Sequence, residues 1–317
     1  TMVENTSSAR RGWGERRAAG TGALILLVGM SPLIRPAQPS WVVWLLLWSP
    51  GVLMLLGERL AWVGKPVALL KPWHYGMILV CLWVAMLWPP GAGGVALVSL
   101  WLLLRAGVAA GVLYRWRYLA PRTAGEMCLD AARLFPVIGA AWLLANRLNW
   151  MPFGFDALVV LLTAAHFHHA GFTLPLMAGL CAKHGQGWLP QLSCTLVLAG
   201  VPLVAAGITG THFGRVPWLE PLSVAVLVLG ALGVASQQLQ QAFQKDVSGK
   251  ARCLFLISGL SLSAAMLLAL GYGLRSLFPA TALTLPQMWA VHGGLNVFGF
   301  GLCGILAWRF KLSGKRG

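Results

Sequence analysis

The sequence predicts an all-α, polytopic transmembrane helical bundle of about ten helices, with eight as the lower bound. Two observations carry this. Of 317 residues, 58% are hydrophobic and only 10% are charged, at a mean hydropathy of +0.73, whereas a soluble domain devotes roughly a quarter of its residues to charge. The second observation is that the basic residues alternate between loops along the chain in the pattern that multi-pass proteins show.

Ten apolar stretches are readable, near 20–34, 41–56, 73–92, 93–114, 132–148, 155–181, 190–210, 219–237, 253–278 and 287–309. Each approaches or exceeds the length needed to cross about 30 Å of hydrocarbon at about 1.5 Å per residue. The first two are short. The second contains Ser49, Pro50 and Gly51, a combination that predicts a kink or break. The basic segment "RRGWGERR" precedes the first stretch without a small-residue cleavage pattern, so we read an uncleaved first helix rather than a signal peptide.

The chain has 24 Lys and Arg. Arg105 and Arg133 fall inside apolar stretches, and Arg35, Arg147, Arg215 and Arg275 fall in alternate loops. The other 18, from Arg10 to Arg316, fall in the remaining loops and tails. Positive charge collects on the cytoplasmic side, so this split predicts both termini inside. The predicted organisation is a basic cytoplasmic tail (1–18), one transmembrane domain (19–310) and a second basic tail (311–317). The net charge of +16 then faces anionic lipid headgroups, and no nucleic-acid partner is implied. The six cysteines are scattered, without a CxxC pair, and read as packing residues.

Against this background the stretch "LLTAAHFHHAGFTLPLMAG" (161–179) stands out, because His166, His168 and His169 lie in apolar surroundings. With Asp156 near the outer end of the sixth helix, His166 sits about 15 Å further in, close to mid-bilayer. Ionisable groups at such depth are costly, which makes each a candidate for function. At about 100° per residue, His166 and His169 share one side of a continuous helix and His168 takes the other. In the last stretch, "MWAVHGGLNVFGFG" places His292 and Asn296 four residues apart on one face. Glu220 opens the eighth helix and Arg105 lies mid-way along the fourth. The depth argument groups Arg105, Asp156, His166, Glu220, His292 and Asn296 between the midplane and the outer boundary, and Thr163 lies nearly in line with Asp156 on the sixth helix. Simpler roles exist: Asp156 and Glu220 suit helix N-termini, and Arg105 could pair with an acid.

The segments "FGFDALVVLLTAAHFHHAGFTLPLMAGL", "WLEPLS" and "MWAVHGGLNVFGF" resemble the YndJ-like family of bacterial integral membrane proteins. Its hallmark resembles HFH, an aromatic and AGF, followed later by HG..N. The resemblance spans roughly 130–305. It implies that Thr163, His166, His168, Gly171, Glu220, His292 and Asn296 match the family pattern, while His169 stands where an aromatic such as Tyr is expected.

Three functions fit these residues. The first is a membrane-embedded enzyme that isomerises, cyclises, hydrates or hydrolyses a hydrophobic small molecule (an isoprenoid, polyketide or lipid) by acid/base chemistry. There His166, His292, Asn296, Glu220 and Asp156 would be catalytic. Arg105, Thr163 and His169 would contact substrate, and His168 would serve structure. The second is a haem or transition-metal redox protein, with a mononuclear site of His166, His292, Glu220 and His169 as one form. The third is a transporter or lipid-binding protein. Membrane lipids are the expected surroundings in all three, and the sequence specifies neither oligomeric state nor substrate.

Overall fold

The computed structural model describes residues 40–61, 72–121, 123–279 and 283–313. The predicted first helix at 20–34, the tail 1–18 and residues 314–317 of the second tail lie outside the described residues. Among those described, eight helices are long and apolar enough to cross a membrane, one of them (Ala157–His184) divided into two segments, and one shorter apolar helix, Trp73–Leu87, accompanies them.

We number them α1 (Ser40–Ala61), α2 (Pro72–Leu87), α3 (Ala92–Trp116), α4 (Ala124–Arg147), α5 (Ala157–His169), α6 (Thr173–His184), α7 (Trp188–His212), α8 (Leu219–Ala242), α9 (Gly249–Gly273) and α10 (Leu285–Ser313). Their starts follow ordinary capping chemistry. The side chains of Thr123, Asp156 and Ser248 accept from the backbone N–H groups of Glu126, Val159 and Ala251. Thr284 and Gln287 form a reciprocal capping box. At the far end of α4, the buried Arg147 donates to the carbonyls of Ala85 and Trp88, each at 3.0 Å. This guanidinium supplies donors for carbonyls that the end of α2 leaves over.

Three departures from regular helix shape the interior. In α1, Ser49–Leu53 winds as a π segment, with the Met54 N–H reaching back to the Ser49 carbonyl. The predicted break at Ser49–Pro50–Gly51 is therefore a local widening inside a continuous helix. In α10, Met288–His292 and Leu295–Leu302 are π-helical as well. Such bulges occur disproportionately at functional sites. The third departure corrects the expectation of one unbroken helix over 155–181, because the chain turns at Ala170–Phe172 between α5 and α6. The N–H groups of both Ala170 and Gly171 return to the His166 carbonyl, at 2.7 and 3.3 Å. A side chain on Gly171 would put its Cβ 2.4 Å from the Phe167 carbonyl oxygen and 2.8 Å from Phe135 Cβ. Only glycine fits that turn.

Close helix approach completes the bundle. Gly200 and Gly230 bring α7 and α8 together, with Cβ positions 2.8 Å from Leu227 Cα and from Leu196 Cβ, and Gly259 does the same for α9 against Leu239. Small residues at such crossings let backbones meet where no water drives association.

Candidate functional site: a histidine-lined cavity in the bundle

The break between α5 and α6, the first turns of α1 and the π segments of α10 enclose a cavity of about 210 Å³. Its walls are mostly apolar, with Val42 and Leu45 from α1, Leu162 from α5, Leu174 from α6, Val204 from α7, Leu227 and Val228 from α8 and Met266 from α9. The residues on the wall with polar side-chain atoms are His166, His169, Thr173, Trp289, His292 and Asn296.

Hydrogen bonds fix the state of most of these rings, because a carbonyl can only accept and the ring nitrogen that meets it must carry the hydrogen. His169 Nε2 donates to the Leu45 carbonyl at 2.6 Å. Pro50 removes an N–H from the turn of α1 that follows. His292 Nδ1 donates to the Ala265 carbonyl at 2.9 Å, which leaves Nε2 as an acceptor facing Asn296 Nδ2 at 3.3 Å. The same Asn296 nitrogen donates to the His292 carbonyl at 2.8 Å. Asn296 thereby supports both the ring and the π-helical backbone that carries it. His166 differs, since its Nε2 is buried without any hydrogen-bond partner. His169 Nδ1 and Thr173 Oγ1 are also buried and unpartnered.

His168 points away from the cavity into a separate polar knot. Trp101 Nε1 donates to His168 Nε2 at 2.9 Å, and His168 Nδ1 donates to the Ala164 carbonyl at 2.7 Å. Indole is a donor only, so the ring is held as the uncharged Nδ1–H tautomer with no lone pair left over. The His168 carbonyl accepts from Ser49 Oγ at 2.5 Å. α4 passes so close that a Cβ on Gly139 would lie 2.5 Å from His168 Nδ1. This residue ties α1, α3, α4 and α5 together.

The remaining candidates are placed elsewhere. Asp156 is exposed and caps α5 through Val159 at 2.9 Å. Thr163 Oγ1 donates to the Val159 carbonyl one turn back, at 2.8 Å. Glu220 is buried and accepts from Arg275 Nη1 at 2.6 Å. Arg105, fully buried, pairs with Glu58 and lies 5.4 Å from the Trp101 ring. None of these four is on the cavity wall. Of the six residues grouped by depth, the fold thus unites His166, His292 and Asn296, and it adds His169. Equal depth does not imply a shared site, because helices present different faces at one level.

Thr173 escaped the sequence reading. Its position directly after "HHAGF" was the available signal, since a polar residue beside a helix break inside an apolar stretch has a local reason to face inward. Among the described residues, no three His, Cys, Asp or Glu side chains are placed to hold a metal ion together. The donor set His166, His292, Glu220 and His169 does not converge, as the Glu220 carboxylate is engaged by Arg275 away from the cavity. His168 has both ring nitrogens occupied and offers no axial ligand to a haem.

A family model described as YndJ-like protein matches residues 42–300, most of the chain and every cavity-lining residue. The chain belongs to the YndJ-like family. Within that match fall both the HFHH segment with its helix break and the π-helical HGGLN segment, so the family pattern covers the two walls that carry the polar groups. A curated relative, the uncharacterized membrane protein YndJ of Bacillus subtilis (strain 168), is 26% identical over 179 residues, which is 55% of this chain and 31% of the relative. The match therefore spans less than a third of that relative's own length. No solved structure matches.

Proposed function

We propose that this YndJ-like chain is a membrane-embedded enzyme that takes a hydrophobic small molecule into the cavity and moves a proton on it through His166. One observation carries the reading. His168, His169 and His292 each commit a ring nitrogen to a backbone carbonyl, whereas His166 keeps Nε2 unpartnered and buried on the cavity wall. A ring that holds its hydrogen on either nitrogen without breaking a structural bond suits a group that gives and takes protons. Asn296 and His292 opposite it would orient the reacting group, and the apolar wall would exclude water.

Mass spectrometry of lipid extracts from cells carrying the wild-type chain or His166→Ala tests this. A hydrophobic compound is expected to accumulate with the variant, while its isomer, cyclised form, hydrate or hydrolysis product disappears. Turnover of that compound by purified protein should fall about 10²- to 10⁴-fold, the usual contribution of a positioned acid or base. Identical extracts at equal levels of folded protein would remove His166 from any catalytic role.

We further propose that both termini lie on the cytoplasmic face of the bacterial inner membrane and that the cavity sits in the outer half of the bilayer. The 18-to-4 division of Lys and Arg supports this orientation. Cysteines substituted at Trp150 and Phe213, both exposed loop residues, should react with an impermeant maleimide added outside intact cells. A cysteine at Gln244 should not. The reverse labelling pattern would invert the orientation.

A further inference from the structure

We propose that the cavity selects the polar end of an uncharged alcohol: its ligand is a hydrophobic chain ending in a hydroxyl group, not a carboxylate, phosphate or quaternary ammonium. The proposal rests on the cavity-binding reading above and deepens it. The argument is an inventory of donors and acceptors. His169 spends its N–H on the Leu45 carbonyl and His292 spends its N–H on the Ala265 carbonyl. In its uncharged form the His169 ring has only the Nδ1 lone pair left, while the His292 Nε2 lone pair accepts from Asn296 Nδ2 at 3.3 Å. The Asn296 amide nitrogen already serves His292, so the carboxamide oxygen is what it has to spare. Three hydrogen-bond donors remain on the wall among the described residues: the Thr173 hydroxyl, the Trp289 indole N–H and whichever nitrogen of His166 is protonated.

The wall therefore offers lone pairs and uncharged donors side by side, and among the described residues it carries no Lys or Arg and no Asp or Glu. An anionic head needs a cation or several converging N–H donors, and this wall offers only the uncharged His166 and Trp289 N–H groups. A quaternary ammonium group has no hydrogen to donate and would bury its charge without a carboxylate. A hydroxyl satisfies both sides: its O–H donates to His169 Nδ1 or Asn296 Oδ1, and its oxygen accepts from His166, Thr173 or Trp289. With about 210 Å³, the cavity is smaller than the roughly 300–1,000 Å³ that enclose a whole drug-sized ligand. It holds the hydroxyl end and adjoining carbons, and the rest of the chain runs into the bilayer.

Three photoreactive probes with the same twelve-carbon diazirine chain, ending in a hydroxyl, a carboxylate or a trimethylammonium group, would be crosslinked to the full chain in lipid nanodiscs. Peptides carrying the adduct would then be mapped. The alcohol should label the segments around 162–174 and 289–300, be displaced by excess dodecanol, and exceed either charged probe about tenfold at these sites. In His169→Phe, which keeps the ring volume, alcohol labelling should fall about five- to tenfold, the loss of one neutral hydrogen bond. The melting temperature of that variant is read in parallel, and Asn296→Leu serves if it does not fold. Equal or stronger labelling by the carboxylate or the trimethylammonium probe would overturn the alcohol preference alone. Labelling of neither segment by any probe would overturn the cavity-binding reading with it.

Discussion

Replacing Asp130 with alanine is expected to cost about 3–5 kcal/mol and to leave little folded protein, the penalty for removing one partner from a buried ionic cluster. The Asp130 carboxylate is fully buried and pairs with Arg115 and with Arg133, whose side chain is 1% exposed. Trp116 Nε1 donates to the same group at 2.6 Å. One anion therefore compensates two guanidiniums and an indole where α3 meets α4. Asp130→Asn keeps the shape and loses the charge, and it should fall between wild type and alanine. Thermal unfolding in detergent, followed by size-exclusion chromatography of the heated sample, measures both. A melting temperature for Asp130→Ala equal to that of wild type would show that the cluster does not hold the helices.

His168→Ala is expected to destabilise the chain by about 3 kcal/mol or more, while His166→Ala changes stability by less than about 1 kcal/mol and removes activity. Truncating a fully buried ring leaves a void. It also strands the Trp101 N–H, a buried donor with no other acceptor shown, at about 1–3 kcal/mol. His166 already borders a cavity and has no bond on Nε2 to lose, so its removal enlarges a space instead of opening a new one. Paired melting curves and turnover measurements decide this. A His166→Ala chain less stable than His168→Ala would reverse the division of roles between the two residues.

Much of this architecture was legible along the chain because bilayer solvation acts on segments of fixed length. An apolar run near twenty residues must satisfy its backbone internally, so 93–114 and 219–237 read as helices and fall within α3 and α8, while 253–278 covers most of α9 and overruns its end at Gly273. The candidate polar residues were visible for the same reason, since a histidine or asparagine among leucines contrasts with its neighbours. The break at Ala170–Phe172 was not visible. Its cause is the distance between a Gly171 Cβ position and the Phe167 carbonyl, and hydropathy carries no trace of such a contact. The π segments of α10 are likewise matters of backbone register, for which "MWAVHGGLNVFGFG" offers glycines and no rule.

Partnership was the largest omission. Glu58, which lies near the end of α1, was not among the candidates, yet it compensates Arg105 across 47 positions of sequence. Arg275 does the same for Glu220 across 55. A buried charge announces a requirement for compensation without naming its source. The sequence by itself determined the membrane class, the approximate places of most of the described helices and the presence of ionisable groups among apolar runs, because each follows from local composition. Tertiary structure alone decided which of those groups are spent and which are available. A ring nitrogen is free or occupied according to which carbonyl the neighbouring helix brings within about 3 Å, and that depends on crossings between separate helices, 27 residues apart for His292 and Ala265 and 124 for His169 and Leu45.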